Sequence, residues 1–175
     1  RRYHSTVISF YFGKPVIMEK IPSLAFRIYV DADACPVKTE TIKIAIRHEI
    51  QVFIVSNGGI RPNISPLVKN IMVDLGPDEA DNWIFQNIDK NDILITADIP
   101  LANKSIKIGA YVISHVGDLI DKTNIGQKVA SRNLMTEIRS SNIFHQGRGN
   151  PYLKSDRIKY VNALEKLIQT IKKSL

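Results

Sequence analysis

Phe26-Arg27-Ile28-Tyr29-Val30-Asp31-Ala32-Asp33-Ala34-Cys35-Pro36 decides how this chain folds. An apolar run closes on two aspartates, and a helix-starting proline follows almost at once. Strand side chains alternate faces, so Asp31 and Asp33 point the same way while the chain stays extended. Open α/β sheets keep their chemistry at the carboxyl ends of strands, which is where these acids fall. Two neighbouring carboxylates repel unless a cation lies between them, and a hard divalent metal is the usual partner. The plainer alternative is an acidic turn in which Asp33 caps the next helix.

Working outward, four more short apolar runs read as strands: Val52–Val55, Ile71–Val73, Ile93–Ile95 and Tyr111–Ile113. They are continuous rather than alternating, as in a parallel sheet buried on both faces. Helical stretches lie between them. One runs from Pro36 to His48, a second from Pro77 to Asn87 with acids in its first turns, and a third from Pro100 to Lys107, ended by Gly109. The alternation predicts a three-layer α/β/α sandwich around a mainly parallel five-stranded sheet. Beyond the fifth strand the pattern is helical. Thr123 or Asn124 caps a helix reaching about Ser140, and Gly147 to Pro151 form a basic loop. Ser155 then caps a last helix with Ile158, Val161, Leu164, Ile168 and Ile171 on its apolar face.

The 175 residues suffice for one domain with a substantial core. Hydrophobic content of 44% with 23% charged residues is that of a soluble globular protein. A single cysteine, Cys35, excludes an internal disulfide and fits a reducing, cytoplasmic setting. No apolar run approaches the roughly 18 residues of a membrane span. Residues 1–25 are set apart as an N-terminal extension, poorly ordered or upstream of the true start, for which Met18 is a candidate. Residues 26–175 form the single domain. The net charge of +7 is uneven: residues 27–121 carry nine Lys and Arg against thirteen Asp and Glu, residues 122–175 eleven against three. An acidic body with a basic tail suits a polyanionic partner, the tail attracting what the acids tolerate only with metal. A solvated basic helix is the alternative.

The acids recur where this topology converges. Asp98 leaves the strand that ends at Ile95, at the same sheet edge as Asp31 and Asp33. Asp78, Glu79 and Asp81 occupy the start of the helix after Pro77, where Asp78 and Glu79 also suit the helix dipole. Asp31, Asp33, Asp81 and Asp98 therefore make an oxygen-rich candidate site for Mg²⁺ or Mn²⁺, metals that activate water and clamp phosphodiester oxygens. Lys38, Arg61, Lys104 and Arg132 are the candidate phosphate binders. Asn57-Gly58-Gly59 leaves the second strand at this end, as a ligand-approaching loop or a simple turn. Cys35, beside acids, is a poor nucleophile. The histidines are scattered, and His48 is expected at the surface.

At this point the chain resembles the uncharacterised YaiI/YqxD family, whose fold is similar to the PIN-like nucleases. The likeness rests on Tyr29 to Val37, Arg61-Pro62, Asp78 to Asn82, Ile95 to Ala102, Asn124-Ile125 and Ser155 to Arg157, and it spans about residues 27–170. It implies a PIN-like α/β domain and a metal-dependent nuclease acting on nucleic acid, RNA above all. There are departures. Ser114-His115-Val116-Gly117 stands where the family commonly has N-P-R-G, Asn133 follows Arg132 where the family has an acid, and Thr136 replaces a later acid.

Two other readings compete with the nuclease. A haloacid-dehalogenase-like phosphatase would use Asp31 as nucleophile, Asp33 as acid/base and Ser56 to bind phosphate. A non-catalytic RNA-binding or regulatory module would use the carboxylates only to hold a structural ion.

Overall fold

A computed structural model describes residues 9–11, 14–16, 26–33, 35–59, 63–141 and 152–175. Strands β1 (Ser9–Tyr11) and β2 (Lys14–Val16) pair antiparallel within the expected N-terminal extension, the rest of which lies outside the described residues. The order then runs β3 (Ile28–Asp31), α1 (Lys38–Arg47), β4 (Val52–Ser56), β5 (Val68–Met72), α2 (Glu79–Asn87), β6 (Ile93–Ile95), α3 (Ile99–Ile108), β7 (Tyr111–Ile113), β8 (Leu119–Ile120), α4 (Ile125–Ser141) and α5 (Lys154–Ser174).

The sheet has six strands, one more than expected, in the order β5-β4-β3-β6-β7-β8. All pair in parallel except β8, which returns antiparallel along β7. With only two residues, β8 carries no periodicity a sequence reading could use. The third strand also begins earlier than expected, at Val68. The chain adds β4 and β5 on one side of β3, then β6 and β7 on the other, so the order of winding reverses between β3 and β6 and a crevice opens beyond their carboxyl ends.

Alternation along β3 distributes the core. Ile28 and Val30 pack with Ile44 of α1 and with Tyr160, Leu164 and Ile168 of α5. Tyr29 faces the other way, with Ile84 of α2, Leu101 and Ile106 of α3 and Ile125 of α4. Helices therefore cover both faces and leave the strand ends open.

Three local expectations change. His48 is half-buried, not a surface residue: its Nε2 lies 2.7 Å from Glu165 Oε2, tying α1 to α5, and Arg47 pairs with the same carboxylate. Helix α5 starts from Leu153 rather than Ser155, and the Asp156 carboxylate accepts the Leu153 N–H at 2.9 Å. Ile158 is exposed, since Tyr160 occupies the buried face of that turn.

Gly117 turns the chain from β7 into β8 at a φ of 85°, and a Cβ there would lie 2.8 Å from Tyr160 N. Gly117→Ala combines left-handed strain with a collision against the α5 backbone, which cannot yield like a flexible side chain. It should cost about 2 kcal/mol. Urea unfolding checks this, and unchanged stability would show that the turn can relax away from α5.

Candidate active site

Register builds the site. Val30 pairs with Ile95, so the next residues, Asp31 and Thr96, lie side by side on the face toward α2 and α3. The Thr96 hydroxyl donates to Asp31 Oδ2 at 2.8 Å, and its oxygen accepts the Asp98 N–H at 2.9 Å. One hydroxyl thus fixes two of the acids. Asp98 ends the connection as the N-cap of α3, its Oδ1 accepting the Leu101 N–H at 2.7 Å, with Pro100 in the first turn. Asp81 comes from the first turn of α2, whose N-cap Asp78 has the left-handed φ of 62°.

The electrostatics record the convergence. Burial foremost, then the charges of Asp98, Asp31 and Asp78, push the Asp81 carboxyl up to about 6 despite the opposing Lys104. Asp31 is raised too, by burial first and then by Asp33 and Asp98, while its bond from Thr96 works the other way. Cys35 is buried, and burial pushes its thiol up to about 11, so it is no nucleophile.

A raised folded-state pKa makes the Asp81 contribution to stability fully present below its ordinary value of 3.8. It is lost as pH rises through about 6. Asp81→Asn should therefore stabilise the protein at pH 7, with the gain vanishing below about pH 4. Thermal unfolding across pH 3.5–7.5 checks this, and parallel curves for the two proteins would deny the repulsion.

The remaining expectations divide. Asp33 is exposed and does not cap α1, whose N-cap is Val37; its two oxygens accept the Asn57 N–H at 3.2 and 3.4 Å, joining this loop to the end of β4. Lys38 donates to the Ala32 carbonyl at 3.0 Å. Lys104 projects from α3 near Asp81. Arg132 stands apart: it lines a groove with Met135 of α4, Leu119 of β8 and Leu167 of α5, and none of the four aspartates lines that groove. Arg61 and the loop Gly147 to Pro151 lie outside the described residues. Ser56 is buried and donates to the Gly58 carbonyl at 2.7 Å, so its hydroxyl is spent on the turn. The basic tail is partly paired: Arg157 Nε reaches Glu40 at 3.2 Å, and Lys159 Nζ reaches Asp118 at 2.6 Å.

Two site residues had no assigned role in the sequence. Thr96 could have been found as a polar residue at a strand end in register with Asp31. His115 lines a small cleft with Asp31, Cys35 and Thr96, and its buried Nδ1 has no partner among the described residues. Only the return of the chain after β7 brings it there.

The donors are all carboxylate oxygens, the kind a hard divalent cation takes. Among the described residues, however, no three Asp, Glu, His or Cys side chains are grouped closely enough to hold an ion between them. The crevice presents matched but separate donors rather than a closed cage.

Fold and site together define an α/β protein with a mainly parallel sheet and an acidic crevice where its winding order reverses, between the parallel strands β3 and β6. The family model described as uncharacterized BCR, YaiI/YqxD family matches residues 29–170, and the chain belongs to that family. Similar proteins carry the name UPF0178 protein. One from Cereibacter sphaeroides strain KD131 is 46% identical over 142 residues, covering 81% of this chain and 88% of that protein. Another, from Ruegeria pomeroyi, is 46% identical across 81% of this chain and 93% of its own length. A third, from Parvibaculum lavamentivorans, is 45% identical across 83% and 95%. No solved structure matches the chain. No helix among the described residues is long and apolar enough to cross a membrane.

Proposed function

We propose that the protein hydrolyses phosphodiester bonds, with a divalent cation drawing together the separate carboxylates of Asp31, Asp33, Asp81 and Asp98. The observation that carries this reading is the electrostatic coupling of Asp31, Asp81 and Asp98 at the β3–β6 crevice, where Asp81 is pushed up to about 6. Carboxylates held in a cleft against their own repulsion mark a candidate functional site. RNA is the substrate to which the PIN-like resemblance points.

Bound Mg²⁺ or Mn²⁺ would supply charge neutralisation and activation of water for in-line attack on phosphorus. The chain does the positioning. Thr96 holds Asp31 in one orientation, and the N-terminus of α3 holds Asp98. Asp33 keeps the loop after β3 against the end of β4. Lys104, near Asp81, offers charge to a substrate phosphate. The phosphatase alternative loses its phosphate binder, because the Ser56 hydroxyl already donates to Gly58.

The test is an RNA oligonucleotide incubated with purified protein and Mn²⁺. Cleavage should leave 5′-phosphate and 3′-hydroxyl ends, since attack by water needs no ribose 2′-hydroxyl. Mn²⁺ should also raise the melting temperature by mass action. No cleavage and no thermal shift with millimolar Mg²⁺ or Mn²⁺ would overturn the proposal. RNA binding without turnover would favour the non-catalytic module.

A further inference from the structure

Helix α2 carries two aromatic residues with different fates. Trp83 is half-buried, its ring centroid 6.3 Å from that of Tyr29 and 6.0 Å from that of Phe53, so it serves the core. Phe85 is 40% exposed and belongs to neither core cluster. It follows Asp81 by four residues, which puts the two side chains on one helical face, about 6 Å apart along the axis. Lys104 reaches across from α3, its Nζ 5.9 Å from the Phe85 ring centroid. The same ammonium acts on Asp81. Carboxylate, aromatic ring and cation therefore lie within one helical turn at the edge of the crevice.

A single exposed aromatic is unremarkable. An exposed ring with a lysine drawn over it, one turn from a coupled carboxylate cluster, has a specific chemistry. Aromatic faces stack on unpaired bases, and a neighbouring ammonium contacts the phosphate that links them. A duplex keeps its base faces within the stack and offers a protein only its backbone and the base edges in its grooves. We infer that Phe85 and Lys104 form a subsite for an unpaired base and its phosphate, so that the strand accepted at the crevice is single-stranded nucleic acid. The inference rests on the phosphodiester reading and adds the form of the strand to it.

Fluorescence anisotropy with a labelled single-stranded RNA, a DNA strand of the same sequence and the RNA annealed to its complement tests this, in EDTA so that no strand is cut. Phe85→Leu keeps the apolar volume and removes the π face. It should weaken binding of both single strands about tenfold and leave the duplex unchanged, with affinity restored in Phe85→Tyr. Lys104→Gln should weaken single-strand binding and lower its salt slope by about one charge. Phe85 is exposed, so its two variants should melt like the wild type. Single-strand affinity unchanged in Phe85→Leu, or equal losses for single strand and duplex, would overturn the inference, as would a wild type that binds no single strand. Cleavage with Mn²⁺ but no effect of Phe85→Leu removes the subsite and keeps the hydrolase. The stacking effect without cleavage by the wild type removes the hydrolase and keeps the subsite.

Discussion

Asp31→Asn should lower RNA cleavage more than about 100-fold, beyond what loss of a residue behind a metal ligand typically costs. The protein should remain folded. Asparagine has the shape of aspartate and keeps an oxygen to accept the Thr96 hydroxyl, which lies 2.8 Å from Asp31 Oδ2. The native carboxyl is raised by burial and by the charges of Asp33 and Asp98, so a neutral amide relieves strain at pH 7. Melting temperature should therefore hold or rise, and RNA affinity in EDTA should hold or increase, because one negative charge facing phosphate is gone. Activity and stability then move in different directions, which a merely structural aspartate would not produce. Cleavage at the wild-type rate would remove Asp31 from the chemistry, and a collapse in stability would make it a folding residue.

The second large effect lies at the opposite end of the sheet. Asp92 is 2% exposed and stands just before β6. Its Oδ1 accepts the Arg27 N–H at 2.7 Å, while Oδ2 accepts the Asp89 N–H and the Arg27 guanidinium, both at 2.9 Å. One carboxylate thus closes the amino ends of β3 and β6, the two strands whose carboxyl ends bear the site. Asp92→Ala strands two backbone donors and unpairs a charge, and should cost about 3–5 kcal/mol. The guanidinium is 37% exposed, so solvent screens its share and most of the loss falls on the amides. Asp92→Asn, which retains an acceptor, should lose less. Urea unfolding of both variants decides it. A loss under 1 kcal/mol for Asp92→Ala would mean that water replaces the carboxylate.

These two aspartates also mark what could be read in advance. Asp31 was legible because a strand followed by a helix start is a local pattern, and the position of an acid at that junction is set by neighbours in the chain. Asp98 was legible for the same reason, as an acid two residues before a helix-opening proline. Asp92, which no local pattern singles out, forms its bonds with Arg27 across 65 residues of sequence. Thr96 meets Asp31 across the same separation. Such partners depend on strand order and register, which apolar runs of three to five residues do not carry.

The sequence alone determined the alternation of strands and helices, the parallel sheet buried on both faces, the acids at strand ends and helix starts, and the family resemblance. Each rests on periodicity, capping chemistry or motif spacing within a dozen residues. Only the tertiary structure decided that β8 adds a sixth strand, that Asp33 turns to Asn57, and that His48 joins Glu165. It also separated Arg132 from the acids and paired Arg157 and Lys159 with carboxylates elsewhere. The reason is that a charged side chain takes whichever opposite charge packing brings near, and packing is settled by the burial of faces far apart in the chain. Phe85 belongs with these: its exposure beside Lys104 follows from how α2 and α3 lie on the sheet, and no local pattern distinguishes it from the half-buried Trp83.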